Sequence, residues 1–93
     1  MKDVPEILKE LKPELADKFG VKRIGVFGSY ARGSISPESD IDILVEFSRP
    51  IGWDFLDLKD FLENRFRKPV DLVTTKALKQ QLRNSILKEA IFA

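Results

Sequence analysis

Apolar positions along this chain alternate between a period near 3.6 and a period of 2, which reads as helices and strands in turn. Val4, Ile7, Leu8, Leu11, Leu15 and Phe19 recur at helical spacing over 4–19. Asp3 stands where an N-cap would, just ahead of Pro5, and Gly20 stands where such a helix would stop. Pro13 falls inside the stretch and predicts a kink or a restart, because an internal proline removes one hydrogen bond and crowds the preceding turn. Residues 22–27 (KRIGVF) read as a short strand and 40–47 (DIDILVEF) as a clearer one. Helical spacing returns over 53–67 through Phe55, Leu58, Leu62 and Phe66, and PVDLVT at 69–74 is a third strand. From about Thr75 onward, Leu78, Leu82, Ile86 and Ala90 mark a last helix, broken near Asn84-Ser85. With a short helix beginning near Gly28, the order is α-β-α-β-α-β-α. Strands separated by helices predict an α/β sandwich with a small, three-stranded sheet.

Composition narrows what such a domain can do. The 93 residues suffice for one domain, 1–93, and not for two. Cysteine and histidine are both absent. That excludes disulfides, thiol nucleophiles, zinc sites and the usual imidazole base. Any chemistry must run on carboxylates, hydroxyls, backbone amides and cations, and hard oxygen donors suit Mg²⁺ or Mn²⁺. No apolar run is long enough to span a membrane and the first residues carry no signal-peptide pattern, so a cytoplasmic location is expected. Charge is uneven: residues 1–58 carry eight basic and eleven acidic side chains, residues 59–93 eight basic and four acidic ones. The basic end fits a nucleotide, RNA or an acidic partner, and equally a solvated helix surface.

Three features carry candidate chemistry. On the strand at 40–47, Ile41, Ile43, Val45 and Phe47 share one face, and Asp40 and Asp42 project from the other. Two carboxylates this close disfavour each other's ionisation unless a cation lies between them, although a solvent-facing side of a strand reads the same way. Gly28-Ser29 follows the strand that ends in Val26-Phe27. Glycine there permits a tight turn and close approach of a ligand, and the free N–H groups of the helix it opens can receive phosphate. An ordinary strand–turn–helix cap would look identical. Asp71 is the lone acid among Pro69, Val70, Leu72 and Val73. It either joins the Asp40/Asp42 pair, if the third strand lies beside the second, or pairs with Arg65, Arg67 or Lys68. Together these features supply what two-metal phosphoryl transfer needs.

The stretch GSYARGSISPESDIDILVEF (28–47) resembles the signature of the DNA polymerase beta-like nucleotidyltransferase superfamily: Gly-Ser, about ten residues, then Asp-x-Asp on a strand. It is most similar to the minimal nucleotidyltransferases (MNT proteins) of bacteria and archaea, often encoded beside a helical HEPN-domain protein. The likeness extends over nearly the whole chain, including the leading helix, the helix at 53–67 and VDLV at 70–73. It implies the small nucleotidyltransferase fold, a mixed sheet with helices packed mainly on one face. It implies that Gly28 and Ser29 contact the triphosphate, that Asp40 and Asp42 ligate both of two Mg²⁺ ions, and that Asp71 ligates the catalytic one. Arg32 would neutralise phosphate or pair with an aspartate, and Ser39 would orient the entry to the strand.

The activity so implied is Mg²⁺-dependent transfer of AMP from ATP to a hydroxyl, by a protein adenylyltransferase acting as antitoxin. The acceptor would be a tyrosine of a HEPN toxin. Larger relatives carry a further domain for base and acceptor, so here a partner or a second copy is expected to supply that recognition. Trp53, Arg65, Arg67 and 76–92 are the candidate contact features. Two rivals stand beside this: a non-catalytic binding module that neutralises its partner by covering it, and a nucleic-acid binder using the basic half. The latter lacks a recognition motif, and direct nucleic-acid binding is not expected.

Overall fold

The computed structural model describes residues 3–32, 40–50, 52–78 and 80–93, without the side chains at 29, 32, 80 and 81. The first helix, α1, runs Val4–Phe19. Asp3 caps it through a side-chain oxygen that accepts from the Glu6 N–H at 3.0 Å, and the Gly20 N–H closes its far end on the Ala16 carbonyl at 3.1 Å. Asp3→Ala removes that acceptor and is expected to cost about 1 kcal/mol, readable as a lowered urea midpoint at unchanged slope. Against the expected restart, α1 continues through Pro13 as one helix. Pro13 is exposed, so the carbonyl its ring leaves without an N–H partner can turn to water.

β1 (Val21–Phe27) leads through Gly28 into a single helical turn, α2 (Ser29–Arg32). β2 (Ile41–Phe47), α3 (Asp54–Phe66) and β3 (Val70–Thr74) follow. β2 pairs antiparallel with β1 and parallel with β3. A parallel pair cannot be joined by a hairpin, and α3 is the crossover it requires. α1 and α3 lie on one face, where Leu8, Leu15, Leu58 and Leu62 bury themselves against Ile24, Val26, Ile43 and Val45.

Two expectations need correction. The sheet has four strands, in the order β3-β2-β1-β4, because β4 (Ile91–Phe92) pairs antiparallel with β1. A two-residue strand has no periodicity of its own, and its partner Gly25 lies far back in the chain. Gly25 permits the pairing, since a Cβ there would stand 2.6 Å from the Ile91 carbonyl oxygen. The last helix also starts later than Thr75. Thr74 caps a 3-10 turn at Thr75–Ala77, its hydroxyl accepting from the Ala77 N–H at 3.1 Å. α4 (Gln80–Glu89) then runs unbroken through Asn84 and Ser85, which are exposed and cost a helix only a few tenths of a kcal/mol each.

No described helix is long and apolar enough to cross a membrane. Trp53, at the start of α3, is 85% exposed and so takes no part in the core. Leu44 departs from a simple two-faced strand: it shares the face of Asp42 and is nevertheless fully buried. That face is therefore not a uniformly solvated one.

Candidate active site

The site is an outcome of strand direction. β1 ends where β2 begins, and β3, parallel to β2, begins at the same end of the sheet. Phe27 is the register partner of Asp42 across the antiparallel pair, and Asp71 is its partner across the parallel one. Register partners on adjacent strands place their side chains on the same face. The lone acid of β3 thus stands directly beside the inner acid of β2. Asp40 comes immediately before β2, two positions from Asp42. Asp40 and Asp71 are exposed and Asp42 is half-buried.

Gly28 closes the third side. Its φ is +67°, a left-handed conformation that disfavours any residue with a Cβ. A Cβ there would also run into Asp42 Oδ2 and lie 3.1 Å from Asp42 Cγ. The turn and the carboxylate are in van der Waals contact, so a ligand held by one lies within reach of the other. With one turn only, α2 sums few peptide dipoles. Its contribution to anion binding is local, from N–H groups that begin a helix without intrahelical partners. The Ser29 and Arg32 side chains and the whole of Ser39 lie outside the described residues.

The donors suit a hard divalent cation in kind, and Asp42 with Asp71 suits it in position. Among the described residues, however, no three carboxylates are gathered closely enough to hold a metal ion as they stand.

Sequence reasoning overlooked the support of β3. The Glu63 carboxylate accepts from the buried Val70 N–H at 2.9 Å, tying the last turn of α3 to the residue before Asp71. Nothing in the periodicity of either element announces this bond. The Lys68 ammonium lies 5.6 Å from the centre of the Tyr30 ring, a contact the sequence reading does not include. A cavity of about 340 Å³ lies at the opposite end of the sheet, lined by Phe47, Arg49, Pro50 and Thr74 among others. It contains none of the three aspartates and is separate from this site.

Residues 8–93 match the family described as the nucleotidyltransferase domain. A protein adenylyltransferase MntA of Thermococcus cleftensis is 40% identical over 93 residues, which span 99% of this chain and 94% of that protein. A solved structure described as that of a minimal nucleotidyltransferase superposes with a TM-score of 0.80 at 37% identity, over 92% of this chain and 89% of the other. The structure of a tri-AMPylated Shewanella oneidensis HEPN toxin in complex with MNT antitoxin contains a chain of the same fold. There the TM-score is 0.64 at 23% identity, over 94% of this chain and 65% of that one. With residues 8–93 matched and nearly its full length shared in this way, the chain belongs to the nucleotidyltransferase domain family, as one of its minimal members.

Proposed function

We propose that this chain is a cytoplasmic, Mg²⁺-dependent protein adenylyltransferase that moves AMP from ATP to a tyrosine of a HEPN toxin and so acts as its antitoxin. The observation that carries this reading is the register of Asp42 with Asp71 against the Gly28 turn. The MntA relative from Thermococcus cleftensis supports the reaction type. The AMPylated Shewanella complex supports a HEPN toxin as partner and AMP as the group moved, by fold alone.

In this reading the N–H groups opened by Gly28 and Ser29 hold the triphosphate, with Arg32 against a phosphate, and orient its α-phosphorus towards the acceptor. The acceptor oxygen forms a bond to that phosphorus while the bond to the bridging oxygen breaks, and pyrophosphate leaves. Asp71, exposed at the edge of the site, receives the acceptor's proton. Two Mg²⁺ ions held by Asp40, Asp42 and Asp71 would supply charge neutralisation at the attacking and leaving oxygens. With no histidine in the chain, catalysis is chiefly positioning and electrostatics, as phosphoryl chemistry allows.

That no three carboxylates among the described residues are gathered as a metal site favours a second reading, a module that silences its partner by binding alone. Incubating the chain with labelled ATP, Mg²⁺ and the purified partner separates the two. Label on a partner tyrosine, lost when EDTA is added, is the expected result. A tight complex that never acquires label would establish the module instead.

A further inference from the structure

At the end of the sheet away from the aspartates, β2 and β3 run out side by side. They are parallel, with Val45 and Thr74 as their last register partners. Open α/β sheets receive ligands outside the carboxyl ends of such strands, where the departing chains can part and leave a crevice. The cavity of about 340 Å³ lies there. Its lining includes Val45, fully buried, and Thr75, the one buried polar residue among those described. It also includes Arg49, Pro50 and Lys76, which are exposed. The cavity therefore has both depth and a rim. Each side of the rim is braced. The Ser48 N–H and hydroxyl both donate to the Gly20 carbonyl, at 2.9 and 3.1 Å. The Arg49 side chain lies against Gly20, where a Cβ would come within 2.9 Å of its Nε. Across the cavity, the Thr74 hydroxyl holds the turn that carries Lys76 by accepting from the Ala77 N–H.

Charge decides what such a crevice accepts. Glu46, the acid of the lining, is engaged by Arg23, whose Nε lies 2.8 Å from its Oε1. Arg49 and Lys76 have no ion-pair partner among the described residues, so the rim keeps two positive charges to offer. A phosphate monoester brings close to two negative charges at neutral pH, and a guanidinium can grip its oxygens in pairs. The remaining wall, Val45, Phe47 and Pro50, is apolar, and Phe47 is anchored by packing on the core. Such a wall suits the ring system of a nucleoside better than a fully hydrated anion. We propose that this cavity is a second, non-catalytic binding site for a nucleoside monophosphate. The phosphate pairs with Arg49 and Lys76, and the base enters against Phe47 and Pro50. The three aspartates take no part, so the site stands whether or not the chain transfers AMP.

The test follows the backbone amides of the full chain by NMR while AMP is added in EDTA, without Mg²⁺. AMP is expected to shift amides at 45–49 and 74–76 in a saturable way, and Asp42→Asn should leave that response unchanged. Adenosine and inorganic phosphate, each half of the ligand, should bind at least about tenfold more weakly. Both rim cations are exposed, so Arg49→Met and Lys76→Met should each weaken AMP only about three- to fivefold. The double variant should lose about tenfold or more, and Lys76→Arg, which keeps the charge, should stay within about twofold of wild type. No shift at the cavity by about 10 mM AMP, or shifts confined to 28–32, 40–42 and 71, overturns the proposal. Wild-type affinity in a folded double variant overturns it as well. So does phosphate binding as tightly as AMP, because the apolar wall then holds nothing, and adenosine binding as tightly, because the cations then hold nothing.

Discussion

Asp42→Asn is expected to lower Mg²⁺-dependent pyrophosphate release by at least about 10³-fold while the protein stays folded. Asparagine keeps the shape of the side chain, and shape matters here because the carboxylate touches the Gly28 turn. What it removes is the charge at the one position that faces Phe27 on β1, Asp71 on β3 and the Gly28 turn together. The exchange conserves side-chain volume, so stability should stay close to that of wild type. The melting temperature should stay within about 5 °C of wild type. Pyrophosphate release at the wild-type rate from a folded Asp42→Asn protein would remove the mechanism. Asp71→Asn offers a graded companion, since Asp71 is exposed and flanks the site from one strand only.

Gly28→Ala should damage both the fold and the activity, for two separable reasons. The first is the backbone: an alanine at a φ of +67° carries left-handed strain of about 1–2 kcal/mol. The second is the collision of its Cβ with the Asp42 carboxylate. Together they should cost on the order of 1–3 kcal/mol, a fall in melting temperature of roughly 5–20 °C for a domain of this size. Activity should drop further than stability, because the collision displaces Asp42 and the phosphate-binding turn at once. The double variant Gly28→Ala/Asp42→Ala distinguishes the two causes. Removing the carboxylate relieves the collision and leaves the backbone strain, so part of the lost stability should return while activity stays absent. Strict additivity of the two single changes in stability would show that the turn and the carboxylate do not touch in solution.

Interactions between near neighbours in the chain were legible before any coordinates. Apolar spacing placed α1 to within a residue, with Asp3 and Gly20 at its ends, because a helix buries one stripe and caps itself with adjacent groups. Alternation placed β2 and set Asp42 apart from Ile41, Ile43 and Val45, because successive side chains on a strand point to opposite faces. The absence of histidine and cysteine limited the chemistry to oxygen donors. What depended on pairing distant segments was decided only by the tertiary structure. The parallel alignment of β3 on β2 brings Asp71 to Asp42 rather than to a basic neighbour, and Ile91–Phe92 becomes a fourth strand by meeting Gly25. Trp53 is left in solvent and the Lys68 ammonium lies near the Tyr30 ring. The division has one physical cause: period and capping depend on the few residues within a turn or a pleat, whereas register, edge pairing and ring seating are settled by which distant surfaces bury one another best.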